Sequence, residues 1–222
     1  MATYVVTGPT RGIGREVVRL LADQTLVLVG RDEAALAELT GSLPDATFVV
    51  ADLAAPDSLP AGGWPERIDG VVHSAGIAGR HTVVDTDPAT YQRMFTLNVV
   101  AVAELTRRLL PGLRAAGGTV VVVNSGQGLR VSGDSAAYAA SKHALRAYAD
   151  ALRAAEREVR VSTIYPGRVA TGMQVALRAQ ENAPYEPDRY LDPTTVAGVI
   201  VAALQLPPDA VLTDVQLTPR HP

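Results

Sequence analysis

The side chains of this sequence that could do chemistry centre on a tyrosine and a lysine four positions apart. Tyr138 and Lys142 bound the run Tyr-Ala-Ala-Ser-Lys, and this spacing puts both on one face of a helix. An ammonium beside a phenol favours the phenolate and lowers a pKa of about 10 in water, which gives a proton donor and acceptor usable near neutral pH. Ser125 ends a predicted strand thirteen residues before Tyr138 and is expected to donate to a substrate oxygen. Such a pair alone is common by chance on surface helices, so its meaning depends on the rest of the chain.

A glycine-rich loop near the start of the chain has the form that binds a pyrophosphate. The first strand-like run leads into Thr-Gly-Pro-Thr-Arg-Gly-Ile-Gly at 7–14 and then into a helical pattern. Backbone N–H groups approach a phosphate closely only where glycines replace side chains, and a helix N-terminus favours negative charge. The spacing is Gly-x-x-x-Gly-x-Gly, not the usual Gly-x-Gly-x-x-Gly, and such a turn can be merely structural. Its place in the first strand-helix unit favours a dinucleotide site made by Gly8, Thr10, Arg11, Gly12, Ile13 and Gly14.

Two arginines predict that the dinucleotide is NADP(H). An NAD site normally has a carboxylate at the end of the second strand, whereas this strand ends Val-Gly-Arg at Arg31. Arg31 and Arg11 can each pair with a 2′-phosphate through a planar fork, and the alternative is that both are solvated surface groups. Asp32 is interpreted as the cap of the next helix.

The ends of the third and fourth strands supply further candidate contacts. Asp52 could accept from the adenine amino group while Leu53 packs against the ring, and a turn-forming aspartate is an equally good interpretation. Ser74, Ala75 and Gly76 are small and would let a cofactor lie along the backbone.

Alternating strand-like and helix-like segments would bring these residues together. Helical patterns occupy 12–23, 32–41, roughly 88–116, 136–157 and 194–206. Short apolar runs predict strands at Thr3–Thr7, Thr25–Gly30, Ala46–Ala51, Ile68–Ser74, Thr119–Asn124, Val159–Tyr165 and Val211–Leu217. This alternation predicts an α/β fold, a doubly wound parallel sheet that binds ligands at the carboxyl ends of its strands. Proline and glycine in 54–66 predict a crossover that is mostly loop.

Length and composition narrow the class of protein. The 222 residues suit one α/β domain over 1–222, and the 47% hydrophobic content is enough for a sizeable core. A net charge of −3 with no long basic run makes nucleic acid and anionic membranes poor partners. There is no cysteine, no signal-peptide pattern and no apolar run long enough to span a bilayer, so we expect a cytoplasmic protein. No metal is expected, because no metal-ligand spacing joins His73, His81, His143 and His221.

Residues 172–192 form a long connection at the predicted ligand-binding edge, with Pro184 and Pro187 near its end. We interpret this segment as a mobile substrate lid, with an ordinary surface loop as the alternative. Its apolar and aromatic side chains would favour a hydrophobic or aromatic ketone as the substrate. These side chains are Met173, Val175, Leu177, Tyr185 and Tyr190.

Taken together, the motifs resemble the short-chain dehydrogenase/reductase family over nearly the whole chain. The matching positions are Thr7, Gly8, Gly12, Ile13, Gly14, Asp52, Leu53, Ala75, Gly76, Asn98, Ser125, Tyr138, Lys142, Pro166, Gly167, Val169 and Thr171. The resemblance implies a Rossmann-like sheet of seven strands and a catalytic tetrad of Asn98, Ser125, Tyr138 and Lys142. In that scheme Tyr138 is the acid/base, Ser125 polarises the carbonyl, and Lys142 binds the nicotinamide ribose and tunes Tyr138.

The resemblance also implies roles for residues around the tetrad. Asn98 would help to hold a water that relays protons to Lys142. The nicotinamide side would be lined by Pro166, Gly167, Val169 and Thr171. One departure is that the family's Asn-Asn-Ala-Gly run reads His-Ser-Ala-Gly here, with His73 and Ser74 in place of the two asparagines. Their loss puts in doubt the hydrogen bonds by which those asparagines usually brace the sheet. His73 is interpreted as a structural residue at the strand end.

A stripe of small residues on the Tyr138 helix bears on assembly. It could pack within the subunit, or it could form the close helix contact by which family members make dimers and tetramers. We expect the latter and therefore a homodimer or homotetramer. The stripe consists of Ala140, Ala144, Ala147 and Ala151.

The predicted function is NADP(H)-dependent hydride transfer between the nicotinamide and a carbonyl or alcohol substrate, with a ketone reductase as the favoured assignment. One alternative is a non-catalytic dinucleotide sensor or partner-binding protein, against which the complete tetrad weighs. Another is an epimerase or dehydratase that uses the same site without net cofactor turnover. The substrate is not identified, because many substrates share this fold and tetrad.

Overall fold

Within residues 1–220, which the computed structural model describes, seven parallel strands form one sheet. The expectation about His221 lies outside the described residues. The spatial order of the strands is β3-β2-β1-β4-β5-β6-β7, which confirms the predicted doubly wound sheet. The strands are β1 (Thr3–Thr7), β2 (Thr25–Gly30), β3 (Ala46–Val50), β4 (Gly70–His73), β5 (Thr119–Val123), β6 (Arg160–Pro166) and β7 (Asp214–Leu217).

The helices lie between the strands along the chain. They are α1 (Gly12–Leu20), α2 (Glu33–Gly41), α3 (Pro88–Phe95), α4 (Ala101–Ala116), α5 (Ala136–Ala155), α6 (Gly172–Gln180) and α7 (Pro193–Leu204). A π-helical turn, Thr96–Val100, joins α3 to α4, so the predicted helix 88–116 is continuous but locally widened.

The two faces of the sheet are covered by different helices. Side chains alternate along each strand, so neighbouring residues of one strand enter opposite cores. Val5 of β1 belongs to a buried cluster with Leu109 of α4 and Leu145 of α5. Val6 belongs to a second cluster, which contains Val17 of α1 and residues of α2 and α7. Burial on both faces is the reason that the five inner strands are mostly apolar along their length, whereas the edge strands β3 and β7 are partly exposed.

The strand order reverses between β1 and β4, and this reversal places the ligand cleft. The chain builds β1, β2 and β3 in one direction and then crosses back to lay β4 beside β1, with Thr7 paired to His73. Helices connected to the two halves leave on opposite faces, so a crevice opens beyond the carboxyl ends of these two strands.

Some element boundaries differ from the sequence expectation. The first helix ends at Leu20 instead of extending to residue 23, because the backbone leaves the helical conformation at Leu21, with φ −107° and ψ 18°. Crossover 54–66 is mostly irregular, as expected, with one short 3₁₀ turn at Pro56–Ser58. The segment interpreted as a lid contains the unforeseen helix α6, whose run from Met173 to Gln180 holds mostly good helix formers.

Helix α5 turns its small-residue stripe outward. Its buried face includes Leu145, Ala149 and Leu152, whereas Ala147 and Ala151 are exposed. Packing within the subunit therefore does not explain the exposed end of the stripe, and the dimer or tetramer stays a prediction. In the described part of the chain, none of the helices is long and apolar enough to cross a membrane.

Candidate active site

A continuous groove runs along the carboxyl edge of the sheet. It consists of a catalytic cavity of about 400 Å³, which contains Tyr138 and Lys142, and a glycine-loop cavity of about 390 Å³. Both cavities are bordered by one set of residues, so they open into one another. The shared residues are Ile13, Ser74, Ala75, Gly76, Ile77, Thr171 and Met173.

Helix α5 and the end of β5 bring the predicted catalytic side chains together. Tyr138, Lys142 and Ser125 all line the catalytic cavity. Burial raises the pKa of Tyr138, while a hydrogen bond with the Ser125 side chain and the positive charge of Arg80 act in the opposite direction. The phenol is therefore protonated at neutral pH.

Lys142 does not have the expected influence on the tyrosine. Its Nζ donates to the Val123 carbonyl oxygen at 3.0 Å and lies 5.9 Å from the centre of the Tyr138 ring. The side chain is buried, and burial lowers the pKa of Lys142 to about 8. The expectation that the ammonium lowers the tyrosine pKa is wrong for this structure, because desolvation of both groups outweighs their proximity.

The π-helical turn places Asn98 in the floor of the site. Its amide is buried and bonds to both backbone groups of Ile77, accepting from the N–H and donating to the carbonyl oxygen at 3.0 Å each. The same amide nitrogen donates to the Ser141 hydroxyl at 3.0 Å. A Cβ at position 76 would lie 3.3 Å from the Asn98 Oδ1 and 4.0 Å from the Lys142 Nζ, so Gly76 leaves space between them. The water-holding role of Asn98 stays a prediction.

Asn124 is a positioning residue that sequence reasoning missed. Its side chain donates to the Lys142 carbonyl oxygen at 3.1 Å and accepts from the Ser125 N–H at 2.8 Å. These two bonds tie the end of β5 to α5 and so set Ser125 relative to Tyr138. A buried amide at the end of an apolar strand was the available signal.

Thr7 and His73 brace the ends of β1 and β4. The Thr7 hydroxyl accepts from the N–H groups of Ser74 and Ala75 at 3.1 and 3.0 Å. The His73 ring lies 2.9 Å from the Thr106 hydroxyl, and burial lowers the pKa of His73 to about 3. His73 is thus neutral and linked to α4, in agreement with its structural interpretation. Among residues 1–220, no group of three or more His, Cys, Asp or Glu is arranged to hold a metal ion.

The glycine loop fits a bound pyrophosphate. Gly12 has a φ of +56°, and a Cβ at Gly14 would lie 2.2 Å from the Gly8 carbonyl oxygen, so helix and strand approach only without side chains there. Arg11 is the N-cap residue of α1, and its side chain does not cap the first backbone N–H groups of the helix. This end of α1 borders the glycine-loop cavity, where Gly8, Thr10, Arg11, Gly12 and Ile13 form one wall. Gly14 supports this wall from behind.

The predicted adenosine contacts lie in the same cavity. Arg11, Arg31, Asp52 and Leu53 all line it. Both arginines are exposed, and the side chain of neither makes a hydrogen bond or ion pair within the described residues 1–220.

The aspartates next to these contacts have local structural roles. Asp32 caps α2 by accepting from the Ala35 N–H at 3.1 Å, as expected. Asp52 accepts from the Ala54 N–H at 2.9 Å while also lining the cavity, so its turn-forming role does not remove it from the site.

The segment after β6 forms the opposite wall. Thr171 reaches both cavities, and the residues assigned to the nicotinamide side all line the catalytic cavity. They are Pro166, Gly167, Val169 and Thr171.

A cluster of ion pairs, which sequence reasoning missed, closes the far end of the catalytic cavity. Glu181 pairs with Arg80 at 2.6 Å, with Arg168 at 3.1 Å and with Arg178. Arg80 also pairs with Asp134 at 3.1 Å. We call Glu181 and its three arginine partners the arginine cluster. It joins the loop after β4 to the loop after β6 and the end of α6. Arg178 and Glu181 have local helical spacing, but Arg80 is far from Glu181 in sequence, so no local pattern indicated that pair.

The predicted apolar lining is only partly present. Met173 and Leu177 line the catalytic cavity, but Val175 is 46% exposed and faces away from it. Tyr185 and Tyr190 pack against each other, with ring centres 5.6 Å apart, and are not part of the lining. The two tyrosines therefore do not line the cavity in this structure, and the preference for a hydrophobic or aromatic ketone stays a prediction. Polar side chains share the wall, namely Arg80, Gln127, Ser132, Asp134, Arg168 and Gln174.

Comparison with known proteins identifies the family. The model of the short chain dehydrogenase family matches residues 2–182, and the chain belongs to that family. It is 34% identical over 218 residues to dehydrogenase/reductase SDR family member 7B of Bos taurus. The aligned region covers 89% of this chain and 66% of that protein. The chain thus spans slightly less than two thirds of that relative's length. It is 30% identical over 226 residues to an uncharacterized short-chain type dehydrogenase/reductase of Sinorhizobium fredii, covering 97% and 90% of the two chains.

Solved structures share the fold. An alcohol dehydrogenase from the archaeon Thermococcus sibiricus, solved with 5-hydroxy-NADP, superposes with a TM-score of 0.87 at 24% identity. The superposition covers 100% of this chain and 98% of the archaeal one. The Rossmann-like architecture implied by the sequence motifs is therefore confirmed.

Proposed function

We propose that this chain is an NADP(H)-dependent oxidoreductase that transfers a hydride between the nicotinamide and a carbonyl or alcohol substrate, with ketone reduction as its main reaction. The observation that carries the proposal is the convergence of Tyr138, Ser125 and Lys142 in a cavity that continues into the glycine-loop cavity. The names of the cattle relative and the archaeal neighbour, a dehydrogenase/reductase and an alcohol dehydrogenase, support it.

The side chains of the catalytic cavity would handle the carbonyl oxygen. NADPH, when bound, supplies the hydride that adds to the carbonyl carbon. Ser125 donates a hydrogen bond to the carbonyl oxygen, and Tyr138 transfers its phenolic proton to that oxygen as negative charge develops. The raised pKa of Tyr138 keeps that proton in place at neutral pH, which suits reduction.

Lys142 and Asn98 would hold the cofactor end of the site. An ammonium has three donors, of which one is used by the Val123 carbonyl oxygen, so others remain for ribose hydroxyls. Asn98 fixes the backbone of Ile77 beside the groove. Arg11 and Arg31 would bind a 2′-phosphate at the other end.

Tyr138→Phe tests the proposal. The variant keeps the ring but loses the transferable proton, so NADPH-dependent reduction of a ketone panel is expected to fall by roughly 10²–10⁴-fold. NADPH affinity should remain within about twofold, because the phenyl ring still fills the site. Tyr148→Phe, on the same helix but outside the cavity, is the matched control and should keep wild-type activity. Wild-type turnover by Tyr138→Phe would contradict the assignment.

A further inference from the structure

Two buried nitrogens in residues that line the catalytic cavity have no hydrogen-bond partner. Gln174 is 5% exposed and its Nε2 is unpaired, and the Nε of Arg80 is also unpaired. Buried N–H donors are almost always paired in folded proteins, because an unpaired donor loses its hydration without compensation. Both nitrogens lie beneath the cavity wall without accessible surface of their own, so a ligand with an acceptor oxygen would pair with one of them only where the side chain can rotate.

The position of Gln174 identifies which end of the groove it serves. Thr171 and Met173 border both cavities, whereas Gln174 borders only the catalytic one. Leu177, one turn further along α6, lines the same wall. Gln174 thus borders the substrate end of the groove and not the cofactor end, and rotation of its side chain is needed to bring the buried Nε2 to the cavity surface.

Packing alone does not explain a glutamine at this position. Methionine has nearly the same length and flexibility and would fill the space without a buried donor to satisfy. Arg80, by contrast, is fixed by its other nitrogens, which bond to Asp134, Ser135 and Glu181. Its Nε is therefore held at a constant place in the wall.

We propose that Gln174 is a specificity-determining residue, which donates a hydrogen bond to an oxygen that the substrate carries in addition to its reacting carbonyl. The substrate class is a carbonyl compound with a second acceptor oxygen, as in an oxo ester or an oxo carboxylate. This inference rests on the proposed function, because it names the substrate class of the same site.

The charge of the surrounding wall allows a neutral or an anionic group. Arg80, Arg168 and Arg178 face the two carboxylates of Glu181 and Asp134, so the cluster keeps positive charge. An ester oxygen needs only the N–H donors of the Gln174 amide, while a carboxylate also gains from this charge.

Matched substrates separate recognition of the second oxygen from simple hydrophobic fit. Methyl 3-oxobutanoate and methyl 4-oxopentanoate have the chain lengths of 2-hexanone and 2-heptanone, which lack the ester oxygens. With NADPH, wild type is expected to prefer each ester by roughly tenfold or more in kcat/KM. Gln174→Met should remove most of that preference through KM while leaving alkanone reduction within about twofold. Gln174→Glu, which keeps the size but replaces the donor with acceptors, should lose it as well.

Control and binding measurements make the result decisive. Val175→Ala, on the exposed side of the same helix, should keep the wild-type ester preference. Ligand-observed NMR on the NADPH-loaded Tyr138→Phe protein measures the affinity for esters and alkanones without turnover. Equal affinities for the two classes, or an equal loss for both in Gln174→Met, would overturn the inference. Ester-selective binding without NADPH oxidation by wild type would instead contradict the proposed function and leave this inference standing.

Discussion

The Tyr138 phenol is shielded from water, and two neighbouring side chains favour its ionised form. Burial dominates and raises its pKa, while Ser125 and Arg80 limit the rise. Reduction needs the protonated phenol, so its rate should not depend on pH near neutrality. Alcohol oxidation needs the phenolate and is expected to rise with pH.

Arg31 is the residue on which the NADPH preference rests. Arg31→Asp should weaken NADPH binding by roughly tenfold or more, because a charge-assisted bond to the 2′-phosphate is replaced by repulsion. NADH binding should change little or improve. Fluorescence titration of both cofactors measures this, and Arg157→Asp, an exposed site outside the groove, controls for the change in net charge. Equal affinity of wild type for the two cofactors would disprove the assignment.

At the scale of elements, the arginine cluster holds the end of α6 against the site. Burial raises the pKa of Glu181, but the positive charges of its partners in the cluster outweigh this effect, and the pKa is lowered. Glu181 is therefore ionised at neutral pH. We propose that α6 and the turn after it, within residues 172–192, are the part that moves to admit substrate, with Glu181 holding the closed position.

Glu181→Gln tests this role. The variant keeps the side-chain size but leaves Arg80, Arg168 and Arg178 without their shared counter-charge, which should cost roughly 1–3 kcal/mol. Amide hydrogen exchange in 172–192 should accelerate by about tenfold or more, with little change elsewhere. Glu186→Gln removes an exposed ion pair of the same segment and should have a much smaller effect. Unchanged exchange in Glu181→Gln would show that the cluster does not hold α6.

At the scale of the whole molecule, the site lowers the stability of the fold. Lys142 is the single lysine of the sequence, and its ammonium is buried in the core of the site. Burial lowers its pKa from 10.5 to about 8, so the folded state at neutral pH contains a charge that the unfolded state solvates better.

Lys142→Met is therefore expected to stabilise the protein without cofactor by roughly 1–3 kcal/mol at pH 7. Between pH 8 and 10.5 the unfolded wild type holds a proton that the folded state has released. The free energy of unfolding of the wild type therefore rises relative to that of the variant as the pH increases. Denaturant unfolding at several pH values measures the difference. Lysine-selective labelling gives one side-chain NMR signal, which reports the pKa directly. A difference in stability that is independent of pH would contradict the prediction.

The sequence by itself determined the architecture and most of the chemistry-bearing positions. The five inner strands are buried on both faces and are therefore mostly apolar along their length, and this local property located them, while apolar runs also located the partly exposed edge strands β3 and β7. The glycine loop was recognisable because a phosphate requires backbone close to it, and Gly12 has the positive φ that such a turn needs. Tyr138 and Lys142 were recognisable because helical spacing is also local.

Only the tertiary structure decided the electrostatics and the lining of the catalytic cavity. Burial sets the upward direction of the Tyr138 pKa shift, which Ser125 and Arg80 oppose, and Arg80 is paired with Glu181, a residue distant from it in sequence. The unpaired amide of Gln174 became visible only once its surroundings were known. Helical and strand periodicities record which face of an element is buried, but burial of a charge or donor depends on segments that are distant in sequence. For that reason the sequence placed the reacting groups, and the folded chain decided their protonation and the substrate they face.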